Sequence, residues 1–474
     1  MGRRVMSAPP GPRGHRLLGS LLDIRRDKLR FVSGAVREYG DLVCFRMGAS
    51  RRLYLLNHPD FIRHVLQDNA GNYIKGSGLE QARLVLGEGI LTSEGKLWAA
   101  QREHLQHLFI RRRLDLYADQ IAQAGEEMIG NWREAARLGQ PVDVGREAVR
   151  LALDVLGRTL LGTDLSGIEE RLTPALDEVV RWSMRRMVAI VPSPLFAPTR
   201  GNLRCRRAVR ELMAIVDEIV KRWMRAPRED GVLAVLLADG IWSNEESRRL
   251  LREELFSLLL AGHETTATAL SWCCHLLARH PEVQRRMREE VLEALPGGRR
   301  PVAADLQRLP YSRMVLEETL RLYPSVWMIT RRALADDEIG GYLVPAGSEI
   351  LISVYTLHRH PSFWDAPEGF QPERFADERA LARPSHAYLP FGNGPRACMG
   401  KGFASLEVIL TMALIVRDFE LSSVPDWSVE AEPLLTLRPR NGLLQRLSMH
   451  ASVRPVPLGG AEGVPADFRG EGEE

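Results

Sequence analysis

Cys398 lies in the segment FGNGPRACMG (391–400) and is one of five cysteines in this 474-residue chain. A helical pattern begins just after it, and the free N–H groups and partial positive charge of a helix N-terminus favour a thiolate over a thiol. Arg396 adds positive charge, and the glycines leave room for a flat, bulky partner. A thiolate beside an open plane suits a metal ion held mainly by a macrocycle, as in haem iron with one axial thiolate.

This local chemistry leaves other interpretations of the segment open. A lone cysteine in a glycine-rich turn is often a small buried residue without a reactive role. A nucleotide-binding loop is a weaker alternative, because no strand, glycine loop and helix followed by a ribose-binding acid is evident. The odd number of cysteines and the absence of a CxxC pair argue against a disulfide framework or a structural zinc site.

A second chemical pattern is AGHETT (261–266), inside a predicted helix. Gly262 weakens a helix, and the Thr265 hydroxyl can bond to the carbonyl four residues earlier and bend it. A groove widened in this way, beside Glu264 and Thr265, could seat dioxygen and relay protons. Ordinary helix packing with a solvated Glu264 is the alternative. A zinc-binding HExxH helix is excluded, because Ala267 occupies the position of its second histidine.

Two further motifs place polar residues at helical spacing. Trp98 and Arg102, in GKLWAAQREHLQ, are four residues apart, and both the indole N–H and the guanidinium can donate to carboxylates. An amphipathic surface pair is the alternative. Glu318 and Arg321, in EETLRLYP, are three apart and share one helical face. A solvated ion pair is equally possible there, and Glu317 could serve as its acid.

The elements that must position these residues are mostly helical. Helical periodicity covers most of 98–290, and one long helix is predicted over 248–280, with another after Cys398. Residues 41–57 read as two strands around a turn, and 340–358 again have strand character. We therefore expect a mainly α chain with a minor β portion, folded as a single large domain.

The composition of the chain indicates three segments and argues against a nucleic-acid partner. We expect an extended proline-rich segment over 1–20, a catalytic domain over 21–455 and a disordered tail over 456–474, which is rich in glycine, proline and acid. No apolar run of about 20 residues is present to anchor the chain in a membrane, so the cytoplasm is the expected location. The net charge of +3 is too small to indicate a nucleic-acid partner.

Taken in order, WAAQR, AGHETT, EETLR, QPERF and FGNGPRACMG resemble the motifs of the cytochrome P450 superfamily, in its soluble bacterial form. The pattern F-G-x-G-x-R-x-C-x-G is matched without departure by Phe391, Gly392, Gly394, Arg396, Cys398 and Gly400. The overall resemblance extends from the proline segment to about residue 450. It implies the cytochrome P450 fold, with haem between the long central helix and the helix after Cys398.

The resemblance also implies a role for each matched residue. Cys398 would be the axial ligand of haem b iron, and Glu264 and Thr265 would deliver protons to dioxygen. The remaining haem-binding residues would be Trp98, Arg102, Ala261, Gly262, Arg331, Phe391, Gly392, Arg396 and Gly400. Arg331 is favoured over Arg332 by its distance from the following Asp and Gly residues. Glu318, Arg321 and Arg374 would form a structural network.

By the same resemblance the chain would insert one oxygen atom into an apolar small molecule, by hydroxylation or epoxidation, in bacterial secondary metabolism. Electrons derived from NAD(P)H would arrive through a separate ferredoxin and its reductase, and the enzyme would be a monomer. Arg111, Arg112, Arg113 and Lys401 are candidates for the docking face, although a solvated arginine run is the alternative. The substrate pocket would draw on Trp182, Met187, Val326, Trp327 and Met328, which core packing explains equally well.

Two competing functions remain open at this stage. A haem-thiolate enzyme could instead catalyse oxidative coupling, desaturation or a peroxide-driven oxidation, and the mass of the product would distinguish these outcomes. A non-enzymatic haem sensor or carrier is the second alternative. It would bind ligands and accept electrons without oxidising anything.

Overall fold

The computed structural model describes residues 8–48, 51–187, 189, 193–228, 231–238 and 245–450. The tail expected over 456–474 and the first seven residues of the proline-rich segment lie outside this range. In the rest of that segment, residues 8–14 have no regular structure, and the carbonyl of Pro10 accepts a hydrogen bond from the backbone N–H of Cys44. The segment therefore runs alongside the first strand, as proline residues without N–H donors permit.

The helices account for most of the described chain. In chain order, α1 to α16 are Leu21–Arg26, Lys28–Tyr39, Pro59–Arg63, Ser77–Leu86, Gly95–Gln106, Arg111–Arg137, Val144–Leu156, Glu169–Met187, Arg200–Arg225, Val232–Ala238, Glu245–Arg279, Pro281–Ala294, Pro310–Leu322, Val354–Leu357, Asp377–Leu381 and Lys401–Asp418. The strands β1 to β12 are Leu42–Met47, Arg51–Leu56, Tyr73–Lys75, Val142–Asp143, Met328–Ala333, Asp337–Ile339, Tyr342–Val344, Glu349–Ser353, Phe419–Ser423, Ala431–Pro433, Leu437–Pro439 and Leu444–Met449.

Two helices form the centre of the fold. The observed α11 agrees with the helix predicted over 248–280, and it packs against α7, α9, α13 and α16. Helix α16 is buried along almost its whole length and packs against α6, α11, α12 and α13. A helix that is apolar on all sides must be enclosed by others. These packed helices form the main hydrophobic core.

Within the described residues, the strands form four small sheets. The largest has the strand order β1-β2-β8-β5-β3, in which only β2 and β8 run parallel. The two strands predicted within 41–57 are confirmed as β1 and β2. The strand character predicted over 340–358 is right for β7 and β8 but wrong for Val354–Leu357, which forms the short helix α14 capped by the Ser353 hydroxyl.

The fold class is confirmed as mainly helical with a small β portion in a single domain. Across the part of the chain that the structure describes, no helix combines the length and the apolar character needed to cross a bilayer.

Candidate functional site

A cavity of about 530 Å³ lies between α11 and the segment before α16. Most of the residues singled out by their chemistry line it, although they come from distant parts of the chain. These are Trp98, Arg102, Ala261, Gly262, Glu264, Thr265, Arg331, Phe391, Gly392, Arg396, Cys398 and Gly400. Four of the proposed pocket residues also line it: Met187, Val326, Trp327 and Met328.

The loop before α16 holds Cys398 by backbone contacts. The N–H of Cys398 donates to the carbonyl of Phe391 at 2.9 Å. Gly394 has φ +73°, and a Cβ there would lie 1.9 Å from the carbonyl oxygen of Leu66. Only glycine fits this left-handed, closely packed position. The loop thus presents the sulfur to the cavity just before the first turn of α16.

The electrostatic surroundings of Cys398 differ from the sequence-based expectation. Burial raises the pKa of its thiol, although the N–H of Gly400 and the charges of Arg102 and Lys401 act to lower it. The helix terminus and the nearby cations thus act in the predicted direction, and desolvation of the thiolate acts against them. A metal ion that coordinates a thiol deprotonates it, so coordination would add to the effect of these groups.

Three arginines lie along one edge of the cavity: Arg102, Arg331 and Arg396. Arg102 donates to the carbonyl of Ala397 at 3.0 Å, and Arg396 donates to the carbonyl of Tyr73 and pairs with Glu94. Both guanidinium groups lie near the Trp98 ring, at 5.8 Å for Arg102 and 5.3 Å for Arg396. The predicted Trp98 and Arg102 pair is thus at the cavity and not on a remote surface.

Arg331 is the most confined cation of this group. Burial and the charge of Arg396 lower its pKa to about 10, and its guanidinium donates to the carbonyl of Thr330 at 2.9 Å. The neighbouring Arg332 instead pairs with Glu80 at 2.5 Å. Arg331 of β5 lines the cavity, whereas Arg332, which is held by Glu80 of α4, does not.

Lys75 is a fourth cation at this edge that the sequence analysis did not identify. Its ammonium donates to the carbonyls of Ile90 and Ser93 at 2.9 and 2.6 Å, and burial lowers its pKa to about 8. Glu94 accepts from the backbone N–H of Lys75 at 2.6 Å. Neither residue belongs to a recognisable motif, so only their position beside Arg396 connects them to the site.

These observations test whether a haem would fit. Four cations face one cavity edge, and among the described residues the partly buried Arg331 has one hydrogen-bond acceptor, the carbonyl of Thr330, so an anionic group would be stabilised there. A porphyrin with carboxylate side chains supplies such a group, and Cys398 supplies an axial ligand on the cavity wall. Within the described ranges, no three His, Cys, Asp or Glu side chains gather to hold a metal. The residues present therefore fit an iron held by a macrocycle and one thiolate.

The acid and alcohol of α11 have defined partners. The Thr265 hydroxyl donates to the carbonyl of Ala261 at 2.6 Å, as the spacing suggested. The Glu264 carboxylate accepts from the Thr436 hydroxyl at 2.6 Å. Thr436 is 172 positions away in the sequence and was not foreseen. Glu264 is thus held at the cavity by a hydroxyl and is not simply a solvated surface acid.

Helix packing also explains why residue 262 is a glycine, which the sequence did not indicate. A Cβ at this position would lie 3.1 Å from the Leu156 side chain of α7. The glycine therefore permits close approach of α7 and α11, in addition to lining the cavity.

Glu318, Arg321 and Arg374 are joined in the buried core. Arg321 donates to both Glu318 oxygens, at 2.7 and 2.8 Å, and Arg374 donates to Glu318 at 3.3 Å. The alternative acid, Glu317, pairs with Arg313 instead. Arg321 also donates to three backbone carbonyls, those of His358, Pro367 and Gly369, so all five of its N–H groups are used.

Trp182 does not line the cavity, and its assignment to the substrate pocket is corrected. Its side chain is buried, and its indole N–H donates to Asn202 at 3.0 Å, which ties α8 to α9. A tryptophan on an amphipathic helix serves core packing as readily as a pocket. The helical pattern alone does not say which of two neighbouring faces meets the cavity.

Comparison with known proteins identifies relatives over nearly the whole chain. The family model described as Cytochrome P450 matches residues 9–446. Cyclooctatin synthase of Streptomyces melanosporofaciens is 35% identical, covering 90% of this chain and 92% of that protein. Cyclooctat-9-en-7-ol 5-monooxygenase of the same species is 35% identical over 88% and 92% of the two chains. Pentalenene oxygenase of Streptomyces avermitilis is 29% identical over 94% and 99%.

Proposed function

The chain belongs to the cytochrome P450 family and is a monooxygenase, and we propose that it hydroxylates a polycyclic terpenoid in bacterial secondary metabolism. The observation that carries this proposal is the apolar wall of the cavity, formed on α8 by Val179, Val180, Met184 and Met187. Such a wall favours a hydrocarbon skeleton, because apolar surface is transferred out of water. The names of the relatives, which include pentalenene oxygenase, support a terpenoid substrate.

The cofactor is a haem thiolate; when bound, it would supply the chemistry by which dioxygen, two external electrons and two protons give one oxygen atom in the substrate and one molecule of water. In this chain Cys398 would ligate the iron, and Lys75, Arg102, Arg331 and Arg396 would hold the carboxylates. The protein thus orients the cofactor and supplies the surrounding charge.

We further assign haem b as the cofactor and NAD(P)H as the electron source, acting through a ferredoxin and its reductase. We also propose that the enzyme is a monomer located in the cytoplasm. In support, all five cysteines are free, as is usual in a reducing compartment.

Proton supply is the role proposed for Glu264 and Thr265. Glu264 lines the cavity beside Thr265, whose hydroxyl oxygen can accept a proton while its own hydrogen is donated onward. The hydrogen bond from the Thr436 hydroxyl holds the Glu264 carboxylate in position at the cavity. A positioned acid of this kind contributes about 10²- to 10⁴-fold to a proton-transfer step.

Thr265→Ala is expected to separate electron consumption from product formation. Because the hydroxyl that passes the proton is lost, product formed per electron pair should fall at least about tenfold, with peroxide or extra water appearing instead. The measurement is NAD(P)H consumed against product and peroxide formed. Thr265→Ser is the control and should retain most of the coupling. Equal coupling in Thr265→Ala and wild type would reject the relay.

The electron-donor face is proposed to be formed by Arg111, Arg112, Arg113 and Lys401. A Cβ at Gly402 would lie 2.8 Å from Leu114, so the first turn of α6 lies directly against the start of α16. Three arginines begin α6 without any acid in that turn, although positive charge is unfavourable at a helix N-terminus. This arrangement suits an acidic partner that approaches near Cys398.

Arg112→Glu is expected to slow electron delivery without loss of stability. The second-order rate with reduced ferredoxin should fall about tenfold at low salt, and the difference should shrink as salt screens the charges. Stopped-flow reduction of the haem at several salt concentrations measures this. Arg204→Glu, on α9, is the matched control and should leave the rate unchanged. An unaltered rate in Arg112→Glu would place the partner elsewhere.

The proposed function is tested by titrating the haem-loaded enzyme with terpenoids while following its absorption spectrum. Turnover with a surrogate ferredoxin system then follows for each compound that binds. Gain of one oxygen atom in the product supports hydroxylation. Loss of hydrogen alone would favour desaturation or coupling, and efficient reduction without any oxidised product would favour a sensor or carrier.

A further inference from the structure

The hairpin formed by β10 and β11 brings its turn to the acid of α11. The turn residues Leu434, Leu435 and Thr436 line the cavity, and the Thr436 hydroxyl donates to Glu264 at 2.6 Å. Within the described residues the two strands form a sheet of their own, joined by three residue pairs. A two-stranded hairpin is only marginally stable by itself, so contacts with other elements must fix the position of this turn.

Two bidentate ion pairs tie the hairpin to α8. Arg438 of β11 donates to both carboxylate oxygens of Asp177, at 2.5 and 3.1 Å. Glu432 of β10 accepts from Arg181 at 3.0 and 3.1 Å, and also from Arg438 at 3.3 Å. The forked geometry of such pairs fixes orientation as well as distance. The Arg438 and Glu432 side chains are 20% and 16% exposed, so water and salt screen them less than a surface pair.

The anchoring residues of α8 lie beside residues that line the cavity. Val180 and Met184 line it, and they follow Asp177 and Arg181, respectively, by three positions. Residues three apart are neighbours on a helix surface. The same stretch of α8 therefore forms part of the cavity wall and holds the hairpin.

Two indoles hold the hairpin from another side. Trp272 of α11 donates to the carbonyl of Leu437 at 2.7 Å, and Trp327 donates to the carbonyl of Leu434 at 2.9 Å. These bonds fix the backbone at the two ends of the turn. The ion pairs with α8 act on the strands that carry the turn, so the placement of Thr436 depends on both sets of contacts.

The charge of Arg438 also acts on the acid of α11. Burial lowers the pKa of Arg438, but the hydrogen bond and charge of Asp177, together with the charges of Glu264 and Glu432, outweigh burial and raise it. Glu264 therefore has a hydroxyl donor and a nearby cation on the same hairpin.

We propose that the β10–β11 hairpin positions the proton-supplying acid, with Asp177 of α8 holding Arg438 so that Thr436 keeps Glu264 at the cavity. This inference rests on the proposed function, since it concerns the acid to which proton supply is assigned. Asp177, Arg438 and Thr436 are positioning residues, because they act through Glu264. Displacement of a catalytic group by about 1 Å can cost about 100-fold in rate, so anchors remote from the chemistry matter.

The test follows the Glu264 carboxylate by infrared difference spectroscopy of the haem-loaded enzyme without substrate. Glu264→Gln identifies the stretching band. Thr436→Val should shift this band, because the carboxylate loses its hydrogen bond while the side-chain shape is kept. Thr436→Ser should restore the band. Asp177→Asn should produce a smaller shift, because the indole contacts remain.

The matched control on α8 is Glu178→Gln. Glu178 is adjacent to Asp177 but pairs with Arg185 and Arg204 instead of the hairpin. This variant removes the same charge from the same helix and should leave the Glu264 band unchanged. Circular dichroism of each variant should match wild type, which separates a positioning effect from loss of the fold.

The second measurement is product formed per electron pair with a terpenoid that binds. It should fall about tenfold in Thr436→Val and about threefold in Asp177→Asn, and stay near wild type in Thr436→Ser and Glu178→Gln. An unchanged Glu264 band in Asp177→Asn would overturn the inference, because the indoles alone would then hold the turn. An equal shift in Glu178→Gln would also overturn it, by showing a general effect of charge on α8.

The infrared result does not depend on turnover, so the two proposals can fail separately. The predicted band shifts with unchanged coupling in Glu264→Gln would support the positioning by the hairpin and reject proton supply by Glu264. Reduced coupling in Glu264→Gln with full coupling in both Thr436→Val and Asp177→Asn would overturn the inference and leave the proposed function standing.

Discussion

Cys398→Ala is expected to abolish the absorption typical of a thiolate-ligated haem in the reduced, carbon monoxide-bound protein, and oxygen insertion should fall to background. Cys398 is the residue whose sulfur the loop presents to the cavity, held by its N–H to the Phe391 carbonyl. Alanine keeps the backbone but cannot ligate iron or push electron density towards it. The spectrum of the reduced complex and product formation with a terpenoid are the two measurements.

The control for this prediction is Cys44→Ala. Cys44 lies in β1, is free and does not line the cavity. Its replacement should preserve both spectrum and turnover, which separates loss of the iron ligand from a general effect of removing a thiol. Retention of the thiolate spectrum in Cys398→Ala would show that another residue ligates the iron.

Arg321→Ala is expected to lower the free energy of unfolding by about 3–5 kcal/mol. Arg321 and Glu318 are both fully buried, with 0% of each side chain exposed. Removing the guanidinium leaves a buried carboxylate with only Arg374 and the Gln371 N–H as donors, and three backbone carbonyls lose their partner. Urea unfolding of the haem-loaded enzyme, followed by haem absorption and by circular dichroism, measures the loss.

Helix α13 itself offers a matched control in Arg313→Ala. Arg313 pairs with Glu317 at 3.2 Å at the same helical spacing, but 42% of its side chain is exposed. Exposed pairs contribute about 0–1 kcal/mol, so this variant should unfold close to wild type. If the two variants proved equally stable, the buried network would not have the structural role assigned to it.

The chemical residues were recognisable from sequence because their types and spacing are local properties. Thr265 and Ala261, or Glu318 and Arg321, are neighbours on a helix whatever surrounds it. Their hydrogen bonds could therefore be anticipated. Contacts of the site residues with partners that are distant in sequence could not be anticipated in this way. Thr436 reaches Glu264, and Lys75 reaches the cavity edge, only because separate elements pack together.

Burial is the second property that local patterns do not specify. At Cys398 the nearby charges could be expected from the sequence, but the desolvation that opposes them depends on the atoms packed around the sulfur. Trp182 was assigned to the pocket by resemblance, yet that side chain is buried and its indole bonds to Asn202 of α9. In both cases the surroundings of the residue depend on packing that its local sequence does not specify.

The sequence by itself determined which residues can do chemistry, the helices that carry them and the family to which the chain belongs, because these depend on residue type, periodicity and motif order. Only the tertiary structure decided that Lys75 joins the cation cluster, that Glu264 is held by Thr436, and that Trp182 packs between α8 and α9. Each of these depends on which side chains meet across elements and on how much water is excluded when they do.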